Sequence, residues 1–328
     1  MSINGFAGNL PAVSDFLTTL RSTVLLADGA MGSLLFERTG RLSEANHVYE
    51  SFNLDRPDLI VDVYLAYLAA GARCLKTNTF GANRQALRAY GLEARVAELN
   101  QAGARLARDV AARFQSQRGV EGPFFVLGSI GPTLSPITTA AGIAEVYREQ
   151  IAGLIAAGVD ALVVETFSSL EQLELVLDCI RSQPGAPPIV AQMTIPSSGV
   201  GPLAGFDAVR YVERMHAHGV AVAGVNCCAP WDATAFVEAV KDCPAVQSGT
   251  IALSAMPNGG GFQRIGNRFM SYVNPEYVGK LARSLADQGV RLFGGCCEMH
   301  PPHIREMHNY LRTRLAGEGA IGVQPVAT

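Results

Sequence analysis

Short apolar, β-branched runs alternate along this chain with longer stretches whose apolar residues recur at helical spacing. After a short helix at 14–21, residues 23–27 form an apolar run halted at Asp28-Gly29, which reads as the first strand. Residues 59–70 are apolar at helical spacing and stop at Gly71, a natural left-handed terminator; 74–80 then reads as a second strand closed by Gly81. The alternation continues. A long helical region covers 84–117, further strands are predicted at 124–129, 161–166, 189–194, 221–226, 251–256 and 291–295, and helices at 143–157, 170–181, 207–217, 231–240 and 275–287. Pro301-Pro302 opens a last helix to 314, at a position where the missing N–H has no intrahelical partner to lose.

Eight strands alternating with eight helices predict a (β/α)8 TIM barrel. An open doubly wound sheet alternates in the same way, but it typically has fewer strands and carries a glycine-rich phosphate turn after the first one. Asp28-Gly29-Ala30-Met31-Gly32 lacks the GxGxxG spacing. Length leaves the domain count open at 328 residues, and no shift of composition interrupts the alternation, so 1–317 reads as one barrel. Residues 318–328 are rich in Gly, Ala and Val with no period and are expected to form a disordered tail without chemistry.

Composition narrows the partners. The 26 basic residues nearly balance the 29 acidic ones, which gives no positive field for a phosphate backbone and argues against nucleic acid. No run of about 18 apolar residues reads as a membrane helix, and 1–11 has no apolar leader core, so a cytoplasmic protein is expected. Seven cysteines, odd in number and spread over a long chain, read as reduced thiols and not as a disulfide framework.

The chemistry gathers where the strands end. Gly294-Gly295-Cys296-Cys297 sets two adjacent thiols after one apolar run, and Gly224-Val225-Asn226-Cys227-Cys228 ends another in cysteine. Such residues also arise as small apolar core side chains or as a strained vicinal disulfide, but neither explains why both sets close strands. Three thiolates at the C-terminal mouth of a barrel suit zinc, and a site with three protein ligands keeps a fourth position open. Other strand ends are polar as well: Asp28, Thr77 with Asn78 and Thr79, Ser129, Glu165 with Thr166, Asn226 and Asn258. Asp28 and Glu165 are assigned to a cationic substrate group, because three thiolates already supply enough negative charge for one zinc. His300 and His303 follow the cysteine pair and read as surface residues at a helix start. The glycine-rich stretches 128–133 and 257–261 lack the lysine and helix of a phosphate loop and read as pocket-shaping loops.

Together these residues resemble the homocysteine S-methyltransferase family. The resemblance rests on Leu26-Ala-Asp-Gly-Ala-Met-Gly32, Thr77-Asn-Thr-Phe-Gly-Ala-Asn83, Gly128-Ser-Ile-Gly-Pro-Thr133, Glu165-Thr-Phe167, Gly224-Val-Asn-Cys227 and Gly294-Gly-Cys-Cys297, in order along nearly the whole chain. It implies a zinc (β/α)8 barrel that methylates the sulfur of homocysteine to give methionine, with Cys227, Cys296 and Cys297 as zinc ligands and Cys228 a bystander. It further implies that Asp28 and Glu165 hold the substrate amine, that N–H groups near Ala30 and Met31 hold its carboxylate, and that Asn258 fills the open metal position at rest. Within the family the closest resemblance is to the homocysteine module of cobalamin-dependent methionine synthase and to the module fused with methylenetetrahydrofolate reductase. Arg268-Phe-Met270 before Asn274-Pro-Glu-Tyr277 agrees with that, whereas animal betaine enzymes have an aromatic residue where Gly81 stands.

The methyl donor implied is either a small molecule or a group borne by a cobalamin- or folate-carrying partner protein. No such module is read after the barrel, so a methylcobalamin donor is expected to arrive on another protein. One departure stands out: the family commonly continues Gly-Thr-Thr-Pro after the cysteine pair, and this chain reads Glu298-Met299-His300-Pro301. That segment motivates an alternative, a demethylase subunit passing methyl from a small catabolic donor to a thiol or carrier protein. A non-catalytic barrel merely stabilised by zinc is a further alternative, weakened because structural zinc sites normally close with four protein ligands.

Overall fold

The computed structural model describes residues 14–39, 48–133, 135–195, 203–259, 263–265, 268–270 and 273–317; the expected tail at 318–328 lies outside them. Ten strands are described: β1 Leu25–Leu26, β2 Cys74–Lys76, β3 Phe125–Ile130, β4 Ala161–Phe167, β5 Ile189–Met193, β6 Val222–Asn226, β7 Ala252–Met256, β8 Gln263–Ile265, β9 Arg268–Met270 and β10 Val290–Phe293. Eight of them form one parallel sheet in the order β1-β10-β7-β6-β5-β4-β3-β2, and a parallel bridge between Ala27 and Cys74 brings its two ends together. The result is the (β/α)8 barrel that the alternation predicts, with helices between successive strands. β8 and β9 are an antiparallel ribbon between β7 and helix Pro275–Asp287, absent from the sequence reading because two three-residue strands carry no readable period.

Alternation within the strands builds two apolar shells. Leu25, Cys74, Phe125, Leu127, Val163, Val190, Val222, Met256 and Leu292 fill the barrel interior. Their neighbours Leu26, Leu75, Val126, Leu162, Ala191, Ala223, Leu253 and Phe293 face outward into the layer shared with the helices. Helix Ser14–Ser22 adds Phe16 and Leu20 to the interior cluster, and Phe16 meets Phe125 edge-to-face at 5.3 Å. A first helix that donates to the barrel interior closes the N-terminal end.

Local signals set the boundaries. The expected helix over 84–117 is two helices, Arg84–Arg88 and Val96–Arg118, separated by Gly91 at φ 69° and a 3₁₀ turn at Glu93–Arg95. Asn83 caps the first by accepting the Ala86 N–H at 2.9 Å, and Gly119 at φ 61° ends the second. The second strand stops at Lys76 instead of reaching Phe80, so Thr77–Phe80 belongs to a loop at the mouth.

Gly224 shows how tightly the wall is built. A Cβ there would lie 2.1 Å from both the backbone oxygen and the hydroxyl of Ser254 on the neighbouring strand, where no side chain can yield. Gly224→Ala is expected to destabilise the barrel by about 3 kcal/mol or more, measured by chemical denaturation. Gly32→Ala, whose Cβ would find only ordinary contact with Tyr49 at 3.7 Å, should stay near the wild-type midpoint. Equal midpoints for the two variants would contradict this packing.

Candidate metal centre

The polar mouth is the upward continuation of the interior layers. Two residues beyond inward-facing Cys74, Leu127, Val163 and Gly224 stand Lys76, Ser129, Glu165 and Asn226, so each strand turns from apolar to polar at its C-terminal end. The cysteines lie just beyond the strands. Cys227 follows β6 with a left-handed φ of 50°, and Cys296 and Cys297 follow β10 after Gly294 and Gly295. A Cβ on Gly295 would come within 2.3 Å of Met299 Cβ, so this tight return needs glycine.

The sulfurs of Cys227, Cys296 and Cys297 all lie within 4.8 Å of one another, with Cys227 and Cys297 at 3.5 Å. The loop after β7 ties the two cysteine segments together. Cys227 N donates to Met256 O at 3.1 Å, Cys296 N to Pro257 O at 2.9 Å, and Gly259 N to Cys297 O at 2.8 Å. Tetrahedral zinc with sulfur at about 2.3 Å needs sulfurs roughly 3.8 Å apart, so this donor set fits one soft ion. Shared hydrogen bonding with Cys227, together with burial, pushes the Cys297 thiol up to about 12, and Cys227 is raised further by Cys296 and burial. In the absence of a cation these thiols keep their protons, and a bound metal must displace them.

Cys228 is 1 % exposed and packs in the apolar layer outside the barrel. Strand alternation is not the reason, since Cys296 and Cys297 are also adjacent and both join the cluster. All four residues have left strand geometry, and the left-handed turn at Cys227 decides which sulfur faces inward.

Lys76 is a charged residue of the cavity that the sequence reading missed, as it missed Glu50 and its neighbour Tyr49. The Lys76 ammonium lies 3.5 Å from Glu165 Oε2 and donates to Gly295 O at 3.1 Å, so a cation of the chain itself stands on one of the two carboxylates assigned to a substrate. The available signal was a lysine two positions beyond inward-facing Cys74. Glu165 also accepts from Ser129 Oγ at 2.6 Å and Asn226 Nδ2 at 3.1 Å. Burial alone would depress Lys76; Glu165 and Asp28 outweigh it and hold the ammonium protonated above its usual range. Asp28 Oδ2 accepts the Lys76 backbone N–H at 2.9 Å, whereas buried Oδ1 has no partner. Burial, only partly offset by Lys76, raises Asp28 to about 7.

These groups line a cavity of about 320 Å³ that also includes Ala30, Met31, Thr77, Ser129, Tyr49, Glu50 and Phe80. Thr77 Oγ1 is 2.6 Å from Thr79 Oγ1 and accepts the Ser129 N–H. Asn226 Nδ2 reaches Thr166 Oγ1 at 2.7 Å and Cys296 Sγ at 3.8 Å. Ala30 N–H donates to Met299 O at 3.0 Å and the Ala30 carbonyl accepts from Tyr67 OH at 2.7 Å, so its backbone is engaged already. Asn258 Nδ2 donates to Cys227 O at 3.2 Å and its N–H to Cys228 O, which ties it to the turn that carries Cys227. The histidines differ from expectation. His303 is buried, with Nε2 2.9 Å from Val273 O, and His300 is part-buried, 3.0 Å from Ser33 Oγ and close to Glu37 and Glu298.

A model of the homocysteine S-methyltransferase family matches residues 25–311. The chain is 33% identical over 308 residues to a methionine synthase of Mycobacterium tuberculosis and 32% identical to that of Mycobacterium leprae, in each case over 90% of this chain. It spans about a quarter of the length of those relatives. Among solved structures, the metallated form of the homocysteine methyltransferase MmuM from Escherichia coli superposes with a TM-score of 0.71 at 24% identity, covering 87% of this chain and 96% of that one. Its oxidised form superposes at 0.72 with 23% identity, over 87% and 95% of the two chains.

Two outcomes are expected from this geometry. Cys227→Ser, Cys296→Ser and Cys297→Ser should each lose most bound metal by elemental analysis, while Cys228→Ser keeps its metal but loses about 1–3 kcal/mol by burying a hydroxyl. Asp28, with a folded value near 7 against an ordinary 3.8, keeps its proton below about pH 7 when folded, so its contribution to stability is lost as pH rises from about 4 through 7. Melting scans should show Asp28→Asn gaining on the wild type by up to about 1.4 kcal/mol per pH unit across that window. A constant difference would contradict the burial effect.

Proposed function

We propose that this chain, which belongs to the homocysteine S-methyltransferase family, transfers a methyl group to the sulfur of homocysteine to give methionine, with zinc held by Cys227, Cys296 and Cys297. The observation that carries the reading is the convergence of three sulfurs within 4.8 Å on the wall of a cavity that also holds Asp28 and Glu165. Zinc in such a set supplies a Lewis acid that lowers the pKa of a thiol occupying its remaining position. The three sulfurs are the only such cysteine group among the described residues.

The chain's own groups then orient the acceptor. Asp28 offers an unpartnered, buried oxygen to a donor on the substrate. Met31 and the start of helix Gly32–Thr39 line the same cavity, and the N–H groups at a helix start favour a carboxylate. Ala30 holds the turn through Met299 and Tyr67. Asn226 braces Glu165, Thr166 and Cys296 at once, which fixes the wall behind the reacting sulfur. Phe80, 41 % exposed, stands on the cavity lining, where the methyl donor must approach. That donor is proposed to be a small molecule or a cobalamin- or folate-borne methyl on a partner, since the relatives extend well beyond this barrel. Seven free cysteines suit a reducing compartment, in keeping with a cytoplasmic site of action.

Purified zinc-loaded protein, given homocysteine with methylcobalamin, a methylfolate, S-methylmethionine or betaine, is expected to form methionine with at least one donor. No methionine with any of them would sink the proposal. Calorimetry separates the binding step: homocysteine should release a proton and show a heat that depends on buffer ionisation, because the ligand is the thiolate. Methionine has no such proton and should show little buffer dependence.

A further inference from the structure

Glu165 is engaged on both oxygens before any ligand arrives. Ser129 Oγ donates to Oε1 at 2.6 Å, while Asn226 Nδ2 at 3.1 Å and the Lys76 ammonium at 3.5 Å share Oε2. Lys76 is 8 % exposed and anchored from the other side by Gly295 O at 3.1 Å, so its ammonium is held in place and not a passing visitor. An amine placed on Glu165 would meet a second fixed cation, and like charges in a buried site oppose each other's ionisation.

We propose that Lys76 is a specificity residue: its ammonium stands on Glu165 where the α-ammonium of an amino-acid thiol would otherwise bind, so the pocket accepts thiol carboxylates whether or not they carry that ammonium. The inference rests on the reading that the three-cysteine centre holds an acceptor thiol, and it names the class of that thiol. A pocket built around a substrate amine rejects the analogue lacking it by orders of magnitude, because the pocket's polar groups are then left unpaired. Here Glu165 keeps three partners with or without the amine. The open oxygen is Asp28 Oδ1, a single acceptor that a water molecule satisfies as well as an ammonium does. Lys76 also lines the cavity, and with two of its three N–H groups directed at Glu165 and Gly295 it has one left for a substrate carboxylate.

The test compares homocysteine with its deamino counterpart, 4-mercaptobutanoate, by calorimetric titration of the zinc-loaded full chain. Wild type is expected to bind the two within about tenfold of each other, and Lys76→Met to widen the preference for homocysteine by about tenfold, as Glu165 becomes free to take the amine. A wild-type preference for homocysteine beyond tenfold overturns the proposal, as does a ratio that Lys76→Met leaves unchanged. Should Lys76→Met fail to fold, Glu165→Gln decides: equal weakening of both thiols supports the assignment, and selective loss of homocysteine overturns it. Binding of neither thiol by the wild type removes the acceptor reading itself and this inference with it, a result distinct from strong selectivity for homocysteine.

Discussion

A β-strand sends successive side chains to opposite faces, so no strand can direct neighbouring residues at one point. Cys296 and Cys297 nevertheless share a cluster with Cys227, seventy residues away. They do so because the chain abandons strand geometry at Phe293 and Asn226 and turns back within a few residues. Two glycines allow the return after β10, a left-handed Cys227 makes the one after β6, and the loop after β7 hydrogen-bonds to both. The barrel supplies the fixed ends, and the three turns supply the convergence.

Below the sulfurs the barrel must also bury charge. Asp28, Lys76 and Glu165 are all under 10 % exposed, and each alone would be costly in that position. Lys76 neutralises Glu165 within a web that Ser129, Asn226 and the Gly295 carbonyl complete, and Asp28 is held by the Lys76 backbone N–H. Such a web is rigid because each member's partners are themselves held by strands. It leaves one flaw, the unpartnered oxygen of Asp28 in the cavity wall.

Most of the fold was legible because a barrel repeats one signal. Apolar runs ended by Asp28-Gly29 or Gly71 mark the alternation whatever their neighbours do, and helix Pro275–Asp287 was readable to the residue. What depends on contacts between distant segments was not legible. Nothing near Ala30 in sequence shows that its N–H is held by Met299, and nothing near Lys76 shows that its side chain ends on Glu165. The reading of His300 and His303 as surface residues missed Ser33 and Val273, which cover them from other parts of the chain. The cysteines themselves were legible, since paired thiols closing an apolar run have few other uses. Their separation from Cys228 came from the family resemblance and not from the local pattern, because it depends on a backbone turn and not on alternation.

The helix that caps the N-terminal end of the barrel bears on traffic through the molecule. Phe16 and Leu20 join the interior cluster, and among the described residues that packed interior leaves the reactants no rear exit. Acceptor and donor must therefore use the same door. Under the proposed chemistry the acceptor lies deeper, against the sulfurs, so it has to be seated before the donor closes over it, and the thioether product stays trapped until the demethylated donor has gone. Turnover would then follow a compulsory queue, first in and last out, imposed by a plugged cylinder.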